Sequence, residues 1–319
     1  MMARMPTTRL APSPTGALHL GNARTFLVNW AIARQRGWRI VVRIEDLDGP
    51  RVRADAAELA IDLLGWLGLD WDEGPHYQTH DLEPYIDALT QLRDQRLIYP
   101  CRCTRSQILA ASLSAPHGDE HELRYSGACR PPTDTKWPTD SFGEEGVAWR
   151  LITPDEEVAF TDHFHGPQSS NPQQQVGDFL VAAKSGMPSY QLAVVLDDHR
   201  QGVDQVVRGD DLLGSTARQI LLYRALGFDE TPEYTHLPLV LGPDGLRLAK
   251  RHGDTRLDSF RSQGVTPERV IGLLAAWSGA EERVERSASE FMASFDLNNL
   301  PSKPVVCTLD DVAWLTEAS

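Results

Sequence analysis

The stretch Arg9-Leu-Ala-Pro-Ser-Pro-Thr-Gly-Ala-Leu-His19-Leu-Gly21-Asn22-Ala-Arg-Thr25 is a loop rich in proline and glycine. From Leu20 onward, apolar residues recur at the spacing of one helical face, so a helix is predicted to begin there. His19 and Gly21 then lie in or beside the first helical turn, where free backbone N–H groups and the helix dipole favour a phosphate. An ordinary proline-rich loop with a helix-capping histidine would produce the same pattern.

A β-branched run follows the predicted helix. Residues 38–44 come directly after Gly37 and end at Glu45. A strand, a helix and a strand within about forty residues predict an α/β fold with a parallel sheet, whose ligands lie beyond the carboxyl ends of the strands. We therefore expect Glu45 at the ligand end of the sheet. A turn and helix-cap cluster of Glu45 and Asp48, in front of a helix over 54–67, would explain the same acids.

The remaining elements continue this pattern with one interruption. Periodicity predicts helices over 81–97, 216–226 and 266–277, and a strand over 237–241. Thr266 and Pro267 are a typical N-cap and first-turn pair. Apolar alternation over 178–196 indicates that the sheet resumes there. From about residue 98 to 172 the chain is polar and rich in proline and glycine, which is typical of an insertion with its own local structure.

Length and composition favour a soluble globular protein of more than one compact unit. The chain has 319 residues, of which 41% are hydrophobic and 24% charged. No run approaches the roughly 18 to 20 apolar residues of a spanning helix, and the N-terminus lacks the apolar core of a signal peptide, so we expect a cytoplasmic protein without a membrane. The net charge of −14 opposes general nucleic-acid binding. Local basic patches at 93–105 and 247–261 remain compatible with it, or are solvated faces.

The four cysteines are Cys101, Cys103, Cys129 and Cys307. They are too few for a disulfide framework, and three of them share one short window, which favours a metal site. Three sulfur ligands suit tetrahedral zinc. From spacing alone, the fourth ligand would be His117 or His121. The distant Cys307 is predicted to be a small buried apolar residue.

A second loop is dense in cations. It runs Gly242-Pro-Asp-Gly-Leu-Arg247-Leu-Ala249-Lys250-Arg251-His-Gly253 and is bounded by glycines. Lys250 could reach a polyphosphate from this loop. A basic surface hairpin would have the same composition.

Taken in order, these motifs resemble those of the class I aminoacyl-tRNA synthetases. The segment from His19 to Asn22 is similar to the "HIGH" signature of that class, and the segment from Arg247 to Arg251 is similar to its "KMSKS" loop. The flanking segments 9–16, 42–46 and 206–213 resemble the glutamate branch, and the resemblance runs from Arg9 to Ser278. Only 319 − 250 = 69 residues follow Lys250. In having so short a remainder, the chain resembles the glutamyl-queuosine tRNA(Asp) synthetases, which lack the anticodon-binding domain.

The resemblance implies a fold and a division of the chain. The fold would be a class I synthetase α/β fold, with a Rossmann-like parallel sheet, an inserted zinc-containing subdomain and a short helical C-terminal region. The expected segments are 1–98 and 176–240 for the two halves of the Rossmann-like catalytic domain, 99–175 for the insertion, and 241–319 for the KMSKS-like loop and C-terminal region.

The resemblance also implies roles for individual residues. The residues expected to bind ATP are His19, Gly21, Asn22 and Lys250, of which His19 and Lys250 are also the expected catalytic residues. The residues expected to bind glutamate are Arg9, Leu10, Ala11, Pro12, Ser13, Glu45, Tyr190 and Arg208. The expected zinc ligands are Cys101, Cys103, Tyr125 and Cys129. Mg²⁺ is expected with ATP.

The second signature departs from the family pattern at two positions. Arg247 stands at the first lysine and Ala249 at the serine, whereas the catalytic Lys250 is kept. Loss of the serine hydroxyl puts the tightness of loop closure, and hence the turnover rate, in doubt.

The function that the resemblance implies is ATP-dependent activation of L-glutamate and its transfer to the queuosine base of tRNA(Asp), by a monomer. Three alternatives remain: a minimal synthetase that charges the 3′ end of tRNA(Glu), a small-molecule nucleotidylyltransferase, and a catalytically silent binding paralogue.

Overall fold

The computed structural model describes residues 4–14, 18–47, 54–113, 124–132, 137–138, 140–246, 248 and 255–317. The chain divides into two compact units. The first unit consists of Met1–His80, Val203–Leu213 and Tyr234–Ser319, and the second of Asp81–Gly202 and Gly214–Glu233. The division into four segments drawn above stays a prediction.

The regular elements follow one another in chain order. The strands are β1 (Thr7–Leu10), β2 (Arg39–Ile44), β3 (Glu73–Tyr77), β4 (Ile98–Cys101), β5 (Ala148–Leu151), β6 (Val158–Asp162), β7 (Gly166–Ser170), β8 (Leu180–Ala182), β9 (Gln205–Gly209), β10 (Glu233–Leu237), β11 (Val240–Leu241) and β12 (Val305–Val306). The α-helices are α1 (Leu20–Arg36), α2 (Ala54–Trp66), α3 (Glu83–Asp94), α4 (Arg105–Leu113), α5 (Pro172–Gln175), α6 (Tyr190–Gln201), α7 (Thr216–Leu226), α8 (Leu257–Ser262), α9 (Pro267–Ala276), α10 (Ala288–Ser294) and α11 (Leu309–Thr316).

A parallel sheet organises the first unit. Its order is β1-β2-β3, with Thr7 opposite Arg39 and Ile44 opposite Tyr77. Strand β2 is buried over five of its six residues, as expected for a parallel strand that is covered on both faces. Asp204, just before β9, binds Thr7 through a backbone and a side-chain hydrogen bond, which places this segment beside β1. These observations confirm the predicted parallel α/β sheet.

The second unit contains antiparallel pairs. Strand β4 pairs with β5, β5 pairs with β8, and β6 and β7 form a hairpin. Helices α3, α6 and α7 belong to the same unit. The stretch from 98 to 172 therefore does have local structure, as predicted. Among the described residues, no helix combines the length and the apolar character needed to cross a membrane.

Two sequence-based assignments were wrong, and one strand was missed. The alternation over 190–194 is the start of helix α6, which buries Leu192 and Val194 together because it is covered on several faces. The strand predicted over 237–241 is two short strands, since Pro238 lies between β10 and β11 and cannot donate to a ladder. Strand β3 was not predicted, because Gly74 and Pro75 interrupt its pattern.

Helix α9 begins as its sequence predicts. Thr266 is the N-cap, and its hydroxyl accepts a hydrogen bond of 3.3 Å from the backbone N–H of Arg269. Pro267 occupies the first turn, where its missing N–H costs nothing. This cap is a local feature whose contribution to stability can be measured.

We predict that Thr266→Ala lowers the free energy of unfolding by about 1 kcal/mol, because an N–H at the helix start loses its acceptor. The measurement is the urea unfolding midpoint. Thr316→Ala is the matched control, since exposed Thr316 bonds only to carbonyls within its own helix, to those of Val312 and Ala313. Equal shifts in the two variants would contradict a capping role.

Candidate functional site

His19 lies at the start of α1, where the loop after β1 meets the helix. It is the N-cap, and its Nδ1 accepts a hydrogen bond of 3.4 Å from the backbone N–H of Asn22. A Cβ on Gly21 would lie 3.2 Å from both Cε1 and Nδ1 of His19. Glycine therefore leaves room for the imidazole, which is a requirement that the sequence alone did not reveal. His19 therefore caps the helix, as the alternative interpretation of the sequence proposed. A capping histidine is also compatible with a ligand at the helix start.

The flanks of the two signatures lie side by side in the first unit. The backbone N–H of Leu20 donates to the carbonyl of Thr255 at 3.0 Å, and that of Leu257 donates to the carbonyl of Leu18 at 2.9 Å. His19 and Arg256 form an antiparallel bridge between these bonds. The residues that follow the cation-rich loop are thereby held against the start of α1.

The cation-rich loop itself is only partly described. In the part of the loop that precedes Lys250, the backbone N–H of Leu248 donates to the carbonyl of Val240 at 3.1 Å. Arg247, Ala249 and Lys250 lie outside the described residues, as does Asp48.

The loops after β1 and β2 are joined to each other. The backbone N–H of Glu45 donates to the carbonyl of Pro12 at 3.1 Å. Leu10 and Pro12 are buried, Ala11 is half-buried and Ser13 is exposed. The segment predicted to bind glutamate is thus brought directly against Glu45, at the carboxyl ends of two parallel strands.

Arg9 is a buried residue of β1. Its NH1 donates to the carbonyl of Val207 at 3.0 Å, and its own carbonyl accepts a hydrogen bond of 2.9 Å from Nδ2 of Asn29. Oγ1 of Thr8 donates to Oδ1 of the same Asn29 at 3.0 Å. Asn29, which sequence reasoning missed, therefore fixes β1 against α1.

Glu45 has a partner that sequence reasoning also missed. NH2 of Arg43 lies 3.1 Å from Oε1 of Glu45, and the two side chains are 0% and 10% exposed. Residues two apart in an extended segment point to the same side, so the period of two was the signal that could have paired them. The ion pair with Arg43 orients the Glu45 carboxylate.

Arg208 lies on β9 and is buried. Its Nε donates to Nε2 of His236 at 3.0 Å, and its guanidinium carbon lies 5.5 Å from the ring centroid of Tyr234. Because arginine can only donate, Nε2 of the buried His236 must accept, which leaves the proton of the neutral imidazole on Nδ1. His236 was not predicted, because nothing in its local sequence marks it.

Arg24 is a further buried arginine of α1. Its NH1 donates to the carbonyl of Pro238 at 2.6 Å, and its Nε donates to Oγ of Ser278 at 3.2 Å. Burial lowers the pKa of Arg24 to about 10, against the opposing attraction of Asp210. Arg24 thus ties the first turns of α1 to the segment that leads into β11 and to the residues after α9.

Tyr190 belongs to the second unit, unlike the other residues predicted to bind glutamate. It is the first residue of α6, is 40% exposed, and follows the N-cap Ser189.

Three cysteines of the second unit form a cluster. The sulfur atoms of Cys101, Cys103 and Cys129 all lie within 4.8 Å of one another, and the Cys103 and Cys129 sulfurs are 3.5 Å apart. Tetrahedral zinc with Zn–S bonds of about 2.3 Å requires sulfurs about 3.8 Å apart. The three side chains are therefore placed as metal ligands. Cys307 belongs to the first unit and is buried, as predicted.

Tyr125 joins this cluster through its hydroxyl. The oxygen lies 3.4 Å from Sγ of Cys101 and 3.8 Å from Sγ of Cys103, and it accepts a hydrogen bond of 2.8 Å from the backbone N–H of Cys129. An oxygen ligand about 2.0 Å from a tetrahedral zinc would lie about 3.5 Å from each sulfur. His117 and His121, the alternatives from spacing, lie outside the described residues.

The surroundings of the cluster lower the pKa of one thiol and raise the pKa of another. Burial raises the pKa of Cys129, but hydrogen bonds from the Tyr125 side chain and the Arg102 backbone outweigh it and lower that pKa to about 7. Burial and the hydrogen bond with Cys129 raise the pKa of Cys103 to about 11. Burial also raises the pKa of Tyr125. Without a metal, Cys129 would thus lose its proton at a lower pH than Cys103.

We predict that in metal-free, folded protein the alkylation of Cys129 by iodoacetamide rises through about pH 7, because the thiolate is the nucleophile. Alkylation of Cys103 should begin several pH units higher. Mass spectrometry of chelator-treated protein measures both rates. In denatured protein, the control, the two profiles should coincide; coincident profiles in the folded protein would contradict the assignment.

Known proteins are similar to this chain in sequence and in fold. A family model described as "tRNA synthetases class I (E and Q), catalytic domain" matches residues 6–314. A Symbiobacterium thermophilum protein named "Glutamyl-Q tRNA(Asp) synthetase" is 48% identical over 318 residues, which are 97% of this chain and 98% of that relative. An Alkalilimnicola ehrlichii protein named "Glutamate--tRNA ligase 1" is 38% identical over 97% of this chain and 64% of that relative.

A solved structure is similar over nearly the whole chain. It is the crystal structure of a glutamate tRNA ligase from Elizabethkingia meningosepticum in complex with its amino acid, and it has a TM-score of 0.76 and 27% sequence identity. The match covers 98% of this chain and 69% of that structure. Together with the match of the family model over residues 6–314, this establishes that the chain belongs to the class I tRNA synthetases of the E and Q group.

Proposed function

We propose that this enzyme activates L-glutamate with ATP and transfers the glutamyl group to the queuosine base of tRNA(Asp). The observation that carries the proposal is the 48% identity, over nearly the whole of both chains, with a relative that bears the name of this activity. The relative named as a glutamate–tRNA ligase is less similar, at 38%.

The first step is a substitution at phosphorus. A carboxylate oxygen of glutamate attacks the α-phosphate of ATP, the new O–P bond forms, and the bond to pyrophosphate breaks. In the second step the acceptor attacks the glutamyl carbon and AMP leaves. Since glutamate supplies its own nucleophile, the protein must mainly position the substrates and stabilise charge, which agrees with a site of arginines and a helix start rather than a catalytic triad.

We assign ATP to the start of α1. His19, Gly21 and Asn22 would contact the phosphates and the adenosine, because the backbone N–H groups and the dipole of the helix favour an anion there. Lys250 would stabilise the charge that develops on the transferring phosphorus. The hydrogen bonds between 18–20 and 255–257 support this assignment, since they hold one end of the Lys250 loop at the helix start. Mg²⁺ would accompany ATP.

We assign glutamate to the ends of β1, β2 and β9. Arg9 and Arg208 are apt partners for the two carboxylates because the guanidinium fork can bind both oxygens. Glu45, oriented by Arg43, would bind the α-amino group. The segment from Leu10 to Ser13 would form the wall of the pocket. Tyr190 completes the proposed set by family resemblance.

The metal is proposed to be Zn²⁺, one per chain, bound by Cys101, Cys103, Cys129 and Tyr125. The sulfur spacing fits this ion, and three thiolates with the phenol oxygen would supply all four ligands that a structural zinc takes. A closed site of this kind stabilises the local fold and does not activate water. The zinc would therefore hold the segments around 101–103 and 125–129 together.

The remaining hypotheses are less well supported. A nucleotidylyltransferase would have no need for Arg9, Glu45 and Arg208 together, and a silent paralogue would have no reason to keep His19 and Lys250. Charging of the 3′ end of tRNA(Glu) stays as the second candidate. We also propose that the enzyme works as a monomer in the cytoplasm, where tRNA and ATP are present.

Activation can be tested by exchange of labelled pyrophosphate into ATP. We expect glutamate-dependent exchange without any tRNA. Lys250→Ala should lower kcat about 10²- to 10³-fold while the KM for glutamate changes little, because the interaction is made mainly in the transition state. Lys303→Ala, at an exposed lysine, is the matched control. No exchange by the wild-type protein with glutamate and Mg²⁺ would refute the proposed activity.

The acceptor can be tested with labelled glutamate and purified tRNA(Asp). We expect label on tRNA(Asp) that contains queuosine and none on the same tRNA with guanosine at that position. The label should survive removal of the terminal adenosine, because the bond is to a base in the anticodon loop. Label that is lost with the terminal adenosine would favour the second candidate.

A further inference from the structure

Arg150 is a buried cation beside the proposed metal site. It lies on β5, is 6% exposed, and its guanidinium carbon is 3.7 Å from the ring centroid of Tyr125. This distance is short for a cation over an aromatic ring, for which contacts extend to about 6 Å. Arg150 therefore packs directly on one face of the Tyr125 ring.

Among the residues that the structure describes, the side chain of Arg150 forms no ion pair with a carboxylate. NH1 donates to the backbone carbonyl of Asp178 at 2.6 Å, whereas Nε is buried and has no hydrogen-bond partner in the described part of the chain. A buried charge without a counter-charge is costly, and buried charges in proteins are normally paired.

The carboxylate of Asp178, the residue whose carbonyl binds Arg150, is already occupied. Oδ1 of Asp178 accepts from NH2 of Arg130 at 2.6 Å and from the backbone N–H of Thr153 at 2.9 Å. Oδ2 accepts from Nε of Arg130 at 2.8 Å and from the Tyr99 hydroxyl at 2.6 Å. Arg130 and Asp178 thus form a bidentate pair that satisfies both of them. Within the described ranges, the guanidinium of Arg150 contacts the carbonyl of Asp178 and the face of Tyr125.

The ligands of the proposed metal site would supply the missing negative charge. Three thiolates exceed the charge of one Zn²⁺ before Tyr125 is counted, so the occupied site is anionic. The site and Arg150 share Tyr125, whose hydroxyl lies among the sulfurs and whose ring lies under the guanidinium. Each of the two charged groups therefore compensates the other.

Tyr125 lies in a buried cluster with Tyr99 and Cys101, and further contacts hold its backbone and hydroxyl. Its backbone N–H donates to the carbonyl of Val176 at 2.9 Å, and a Cβ on Gly177 would lie 2.2 Å from the Tyr125 carbonyl oxygen. These contacts fix its backbone, and the Cys129 N–H reaches its hydroxyl. The guanidinium of Arg150 covers one face of the ring.

We propose that Arg150 is a positioning residue of the metal site: it holds the Tyr125 ring against the cysteines and supplies the positive charge that the ionised ligands require. This inference rests on the proposed zinc site. It differs from a purely structural role of Arg150, in which packing on the ring would matter and the charge would not.

Zinc affinity of the whole protein, measured by competition with a chromophoric chelator, separates these roles. Arg150→Gln keeps an N–H donor for the Asp178 carbonyl and removes the charge, and we expect it to weaken zinc binding about 10- to 100-fold. Arg150→Lys keeps the charge and should weaken binding less than about 5-fold, because a cation remains beside the ring. The thiolate absorption of the cobalt-substituted protein should change in Arg150→Gln and be restored in Arg150→Lys.

The matched control is Arg224→Gln. Arg224 belongs to the same unit, but its side chain is exposed and pairs with Glu156, so zinc affinity should stay within about 2-fold of the wild-type value. Arg150→Met keeps apolar packing on the ring, and it replaces Arg150→Gln in the comparison if that variant does not fold.

The possible results are distinct. Wild-type affinity in the uncharged variants, or equal losses in Arg150→Gln and Arg150→Lys, would overturn the role of the charge and leave the zinc site standing. A wild-type protein that binds no zinc would refute the site and this inference together. Neither result bears on glutamate activation.

Discussion

Two backbone hydrogen bonds, between Leu20 and Thr255 and between Leu257 and Leu18, join the start of the first helix to a segment far along the chain. The proposed chemistry depends on this contact, because ATP must meet the helix start and a cation at the same time. Backbone bonds suit this task, since they fix the position of the chain without using a functional side chain. Arg24 reinforces the same arrangement by binding the carbonyl of Pro238.

Buried arginines recur through both units and act in different ways. Arg43 orients an acid, Arg208 orients an imidazole, and Arg150 lies over a phenol ring. Burial of each guanidinium costs desolvation free energy, so each is expected to have a partner whose interaction offsets that cost. For Arg150, that partner is the set of proposed metal ligands. The buried charge of Arg150 is therefore linked to the proposed metal site of the second unit.

Features that depend on neighbouring residues were well predicted. The start of α1 at Leu20, both ends of α7 and the Thr266 cap follow from periodicity and from capping chemistry within a few residues. Helix α6 was missed because it is buried on several faces, which hides the helical period of its apolar residues. Strand β3 was missed because a Gly-Pro pair interrupts its alternation.

The sequence by itself determined the order of the motifs and the class of the fold, because these are properties of local pattern and spacing. Only the tertiary structure decided which side chains meet. Asn29, His236 and Arg150 carry no local signal, since their partners are a carbonyl, an arginine and a ring from distant segments. The geometry of the Cys101 cluster likewise required the folded chain, because spacing pointed to a histidine and the described structure places Tyr125 among the sulfurs.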